Sequence, residues 1–90
     1  MGGTMMEKEY LLSFSSFYKA AYAKDVLEEH GLRSSLRKLP SQVAHSCSTG
    51  LYLRIDSIAR VQKVLKDYEI AHKGCYEIRR DGGSKSYVRV

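Results

Sequence analysis

Residues Tyr10-Leu11-Leu12-Ser13-Phe14 alternate in the manner of a half-buried strand, with Tyr10, Leu12 and Phe14 on one side. Ser15 and Ser16 follow as candidate helix caps. Apolar residues then recur at helical spacing at Ala20, Ala23, Val26 and Leu27, and Gly31 suits the position after a helix end. Period two resumes from Leu32 to Leu39, with Leu32, Ser34 and Leu36 on one face and Arg33, Ser35 and Arg37 on the other. Pro40 ends that run, because proline has no N–H for a ladder. The plan then repeats. Leu51, Leu53 and Ile55 alternate with Tyr52 and Arg54, Asp56 and Ser57 supply a cap, and Ile58, Val61, Leu65 and Tyr68 form a second helical stripe. Cys75-Tyr76-Glu77-Ile78-Arg79 reads as a fourth strand. Even the helix ends correspond: Val26-Leu27-Glu28-Glu29-His30-Gly31-Leu32 parallels Val64-Leu65-Lys66-Asp67-Tyr68-Glu69-Ile70.

A strand-helix-strand unit used twice predicts an α+β fold, the ferredoxin-like β-α-β-β-α-β sandwich. Its antiparallel sheet has the order 4-1-3-2 and carries both helices on one face. The expected organisation is a flexible N-terminus over residues 1–8, a single domain over 9–80, and a tail over 81–90. Asp81-Gly82-Gly83-Ser84 is a turn signal, and Tyr87-Val88-Arg89-Val90 reads either as an extra edge strand or as a disordered tail.

The topology also predicts what meets at each end. The first and second strands run the same way, so the start of the first helix, the loop after the second strand and Gly74-Cys75 gather at one end. That loop, from Pro40 to Gly50, is about eleven residues long, where an adjacent hairpin needs two to five. It carries Cys47 among Ser46, Ser48, Thr49 and Gly50. A thiol there is reachable, and the positive end of the first helix, with His45 and Lys73, favours its thiolate. Cys75 reads either as a resolving thiol for Cys47 under oxidant or as an independent thiol. The sheet side away from the helices is expected to display Arg33, Arg37, Tyr52, Arg54 and Arg79, with Leu11, Ser13 and Glu77 between them.

Composition narrows the function classes. No apolar run approaches the roughly 20 residues that span a bilayer. The first residues lack the apolar core of a secretory signal. Both observations predict a cytoplasmic protein with reduced thiols and no membrane association. The net charge of +5 fits anionic partners or simply a solvated basic surface. Cys47, Cys75, His30, His45 and His72 are too scattered for a zinc site, so neither metal nor cofactor is expected. A conventional enzyme is the least supported class: there is no carboxylate pair, nucleophile elbow or glycine-rich phosphate loop.

Several segments resemble a small bacterial family, the putative selenium/sulfur carrier protein-like domain. They are Tyr10-Leu11-Leu12-Ser13-Phe14-Ser15, Ala23-Lys24-Asp25-Val26-Leu27-Glu28-Glu29-His30-Gly31-Leu32, Leu39-Pro40, Ser46 to Arg54, and Gly74-Cys75-Tyr76-Glu77-Ile78. Members of that family carry a cysteine directly before a glycine and an apolar strand ending in arginine. Here Gly50-Leu51-Tyr52-Leu53-Arg54 fits the strand, while Cys47 lies three positions before the glycine. The resemblance implies a covalent carrier that holds sulfur or selenium on Cys47, with Ser46, Ser48, Thr49 and Gly50 around it and a donor or acceptor protein as partner. The alternative is a non-catalytic module whose basic sheet face, with Arg33, Arg37, Tyr52 and Arg54, binds an anionic ligand, RNA or a partner protein. RNA is the weaker form of that alternative, because Tyr52 is the single aromatic residue expected on the face. Dimerisation through the same face is compatible with both, since Leu11 and Tyr52 would otherwise meet water.

Overall fold

The computed structural model describes residues 7–44 and 48–90. The elements run β1 (Lys8–Ser13), α1 (Phe17–Glu29), β2 (Ser35–Lys38), β3 (Thr49–Ile55), α2 (Ile58–Asp67), β4 (Gly74–Asp81) and β5 (Ser84–Arg89). All four pairings are antiparallel: β1 with β3, β1 with β4, β2 with β3 and β4 with β5.

The four-stranded ferredoxin-like layout of order 4-1-3-2 is corrected by this sheet, which has five strands in the order β2-β3-β1-β4-β5. The chain reverses at Gly82 and Gly83, whose φ angles of 58° and 104° lie in the left-handed region that two-residue hairpin turns demand. β5 then pairs with β4 from Asp81–Ser84 to Tyr76–Arg89. The edge strand on that side is therefore β5, and β4 lies inside the sheet.

Both helices pack on one face of the sheet. Ala20, Ala23, Val26 and Leu27 of α1 and Val61 and Leu65 of α2 meet Tyr10, Leu12, Leu51, Leu53, Ile55 and Cys75 from the strands. The Ser16 hydroxyl caps α1 by accepting from the Lys19 N–H at 3.2 Å. The C-termini of the two helices close in the same way. In α1 the Leu32 N–H donates to the Leu27 carbonyl at 2.9 Å and the Gly31 N–H to Glu28 at 3.0 Å. In α2 the Ile70 N–H donates to Leu65 at 2.8 Å and the Glu69 N–H to Lys66 at 3.0 Å. These are paired Schellman closures, and each needs a left-handed residue: Gly31 at φ 75° and Glu69 at φ 57°.

Several local expectations change. β2 begins at Ser35, so Arg33 belongs to the connection after α1 rather than to the strand. Tyr68 is exposed because it is the C-cap of α2, where its hydroxyl meets His30 Nε2 at 3.0 Å. Ser57 is the N-cap of α2 by backbone geometry but makes no side-chain capping bond. Cys75 faces the helices, so alternation along β4 puts Glu77 and Arg79 on that same side and Tyr76, Ile78 and Arg80 on the other.

Candidate functional site

The site is built where β1 ends and β3 and β4 begin. Ser13 stands opposite Gly50 on one side and Gly74 on the other, so a serine flanked by two glycines crosses three strands in one row. The N-cap of α1, Ser16, lies three residues beyond Ser13, and the Lys73 N–H donates to the Ser13 carbonyl at 2.7 Å. The expected gathering of the first helix start, the loop stems and Gly74-Cys75 is therefore present in the backbone.

Both glycines are required by close approach. A Cβ at Gly50 would overlap the Leu12 carbonyl oxygen and lie 2.8 Å from the Leu39 side chain. A Cβ at Gly74 would lie 2.7 Å from the Tyr76 ring. Leu39 and Tyr76 thus occupy the space that side chains on the flanking strands would fill. Ser13 is completely buried beneath them, and its Oγ has no hydrogen-bond partner among the described residues.

The long loop after β2 has a defined neck. Lys38 pairs with Thr49, and the Leu39 N–H donates to the Ser48 carbonyl at 2.6 Å. Beyond the neck, the N–H groups of Val43 and Ala44 both donate to the Pro40 carbonyl at 3.0 Å. That turn lays Leu39 and Val43 over the sheet face opposite the helices, where they form a second core with Leu11 and Tyr76. Ala44, Tyr52, Ile78 and Tyr87 pack around it, partly buried. The face expected to be open is covered at this end, and Leu11 is only 5% exposed. Apolar Leu39 and Val43 inside an otherwise polar loop were the sequence signal for this cover.

Toward the other end of the same face lies a polar network that the sequence reading did not include. The Tyr52 hydroxyl donates to Glu9 Oε1 at 2.6 Å, and Arg80 donates to both Glu9 oxygens at 2.8 and 3.0 Å. These bonds, from Arg80 first and Tyr52 second, hold the Glu9 carboxyl down to about 2. The Tyr52 hydroxyl is raised in turn, chiefly by its bond to Glu9. The predicted basic residues are partly committed. The Arg37 guanidinium stacks 4.3 Å from the Tyr52 ring centre, and Arg54 pairs with Glu7 at 3.6 Å. Arg33 lines a separate cavity of about 400 Å³ with Arg54, Arg60, Glu7 and Asp56. Arg33 and Arg54 thus share one cavity, while Arg37 and Tyr52 stack on one another.

Among the predicted thiol-loop residues, Ser48, Thr49 and Gly50 stand at the neck and the start of β3. Ser46 and Cys47 lie outside the described residues. Cys75 is a core residue, 2% exposed, and burial pushes its thiol up to about 11 against the opposing effect of a hydrogen bond with Gln62. No group of His, Cys, Asp and Glu suited to a metal ion occurs among the described residues. No helix among them is long and apolar enough to cross a membrane.

A family model matches residues 9–77, the whole span from β1 into β4, and it carries the description putative Se/S carrier protein-like. The chain belongs to this Se/S carrier-like family. The match runs through α1, β2, β3 and α2 and ends within β4, and it includes the neck, the Ser13 row and both helix closures. No curated protein and no solved structure matches the chain.

Proposed function

We propose that this Se/S carrier-like protein is a thiol carrier that receives sulfur or selenium on Cys47 and passes it on, without turnover of its own. Membership of the family supports the class of function. The observation that carries the reading is the neck: Leu39 N–H to Ser48 C=O fixes both stems of the Cys47 loop beside the start of α1. Cys75 is the other thiol of the chain, and its burial among helix-facing residues keeps it protonated. We assign it no step.

The transfer needs no external oxidant. The Cys47 thiolate attacks the outer sulfur of a persulfide on a donor protein. The donor's S–S bond breaks, an S–S bond forms on Cys47, and the donor leaves as a thiolate that keeps its electron pair. The outer sulfur retains its proton, so charge and oxidation state balance, and the selenium case is the same with selenium as the outer atom. The module reading, an anion- or RNA-binding sheet face, gains no support, because Leu39 and Val43 cover one end of that face and Arg37, Arg54 and Arg80 on it are engaged by Tyr52, Glu7 and Glu9.

The test is intact mass after incubation with a low-mass persulfide such as glutathione persulfide. The wild type is expected to gain one sulfur that dithiothreitol removes, Cys75→Ser to gain it equally, and Cys47→Ser to gain none. Loading that survives Cys47→Ser would end the proposal.

A further inference from the structure

Helix α1 departs from an ordinary surface helix. Its inner stripe is apolar as required, but its first turns also present aromatics outward: Phe17 is 50% exposed, Tyr18 82% and Tyr22 53%. Phe17 and Tyr18 meet edge to face at 6.1 Å. Polar residues return further along, with Asp25, Glu28 and Glu29 all exposed. A helix apolar on two sides is ordinarily covered on both, and exposed aromatics clustered in this way mark interaction surfaces.

Charge is segregated in the same region. The segments that meet at the Ser13 row carry Lys19, Arg37, Lys38, Lys73 and Arg89, and no Asp or Glu among the described residues. Among the described residues none of these five is in an ion pair, but Arg37 stacks on Tyr52 and Arg89 donates to the Lys73 carbonyl on the sheet face away from the helices, so Lys19, Lys38 and Lys73 are the cations left to act together with α1. Of the other ten, Lys24, Arg54, Arg60, Lys63, Arg79 and Arg80 are paired, while Lys8, Arg33, Lys66 and Lys85 are not, so what sets this end apart is the absence of acidic residues beside its cations. The ten remaining Lys and Arg equal the ten Asp and Glu in number, so the whole formal excess of +5 belongs to this end.

We infer that the exposed aromatics of α1 and this unpaired cationic rim form the docking surface for the donor protein, which presents an acidic surface with apolar residues within it. The inference rests on the carrier reading, which requires such a protein to approach the end that bears the Cys47 loop. Aromatic anchors would supply the buried contacts, and Lys19, Lys38 and Lys73 would steer an acidic partner. A second copy is a poor occupant, because a two-fold contact would set these like charges against themselves. Single-stranded RNA is a poorer fit than protein, since the rings stand on a convex helix rather than along a basic groove.

The experiment follows amide NMR shifts during titration with a synthetic amphipathic helix bearing one Glu-rich and one Leu-rich face, and separately with oligouridine. The peptide is expected to perturb residues 16–22, 37–39 and 73–75 selectively and to bind more weakly as salt rises. Tyr18→Ser/Tyr22→Ser should weaken it about tenfold, as should Lys38→Glu/Lys73→Glu. All four positions are exposed, so both variants should keep the wild-type spectrum elsewhere. Perturbations centred on another face, variants that bind like the wild type, or tighter binding of oligouridine to these residues would each overturn the inference. Loading from glutathione persulfide, measured on the same variants, reports on the carrier reading alone. Failure of Cys47 to load condemns that reading even where the peptide binds, whereas normal loading without peptide binding condemns only the docking surface.

Discussion

The paired helix closures allow one residue's conformational cost to be measured against its own counterpart. Gly31 and Glu69 occupy the same step of the same motif, at φ 75° and 57°. A side chain in the left-handed region costs roughly 1–2 kcal/mol, while glycine returns about 0.5–1 kcal/mol of that through the greater freedom of its unfolded state. Glu69 is exposed and makes no ion pair among the described residues, so its removal forfeits little. Glu69→Gly should therefore stabilise the fold by about 0.5–1 kcal/mol and raise the melting midpoint by about 2–8 °C. Gly31→Ala should do the reverse by about 1 kcal/mol. A Cβ at Gly31 meets nothing within 4 Å, so steric overlap cannot account for the loss. Urea unfolding monitored by circular dichroism, with a common slope for all variants, measures both changes. A lower midpoint for Glu69→Gly, or no change for Gly31→Ala, would refute the claim that the left-handed residue limits these closures.

Other outcomes follow from the site. Gly50→Ala should destabilise by about 2–4 kcal/mol in urea titration, because the new methyl overlaps the Leu12 carbonyl and backbone must move. Ser13→Ala removes a buried hydroxyl without a partner among the described residues and should be neutral or stabilising by up to about 1 kcal/mol; a loss above that would show the hydroxyl to be bonded. The Glu9 carboxyl is lowered from 4.5 to about 2 on folding, so its contribution is complete above pH 4.5 and is lost as pH falls through about 2. Glu9→Gln should accordingly cost about 1–2 kcal/mol at pH 7 and flatten the acid limb between pH 4.5 and 2. In timed alkylation at pH 8 the buried Cys75 should stay unlabelled until the protein unfolds; rapid labelling in the native state would contradict its position.

Much of the architecture could be read from residue periodicity, and the failures have a common cause. The α1 stripe Ala20, Ala23, Val26 and Leu27 is the buried set of that helix, and the correspondence of the two helix ends is real down to their hydrogen bonds. Those signals are local, and packing agrees with them. β4 is the exception: Glu77 and Arg79, expected on the face away from the helices, share the helix side with Cys75, and Tyr76 and Ile78 take the other face under the loop cover. A sheet covered on both faces has apolar residues at both phases, so alternation alone does not say which phase faces the helices. The fifth strand has no clear periodic signal, because Ser84-Lys85-Ser86 is polar and its pairing depends on the geometry of the Gly82-Gly83 turn. Within the site, the meeting of strand ends followed from topology. The Glu9–Tyr52–Arg80 bonds join residues up to 71 positions apart and leave no local pattern.

The neck at Leu39 and Ser48 bears on how such a chain can vary over evolutionary time. Its closing bond is backbone to backbone, and the β2–β3 register is already set by pairs from Ser35–Tyr52 to Lys38–Thr49. The anchoring side chains Leu39 and Val43 lie on the first stem alone. The β2–β3 register and the neck are thus set by residues outside the interval between Ala44 and Ser48, and gaining or losing a residue in it changes loop-closure entropy only slightly. Three positions between a cysteine and Gly50, instead of one, therefore leave the β2–β3 pairs from Ser35–Tyr52 to Lys38–Thr49 as they are.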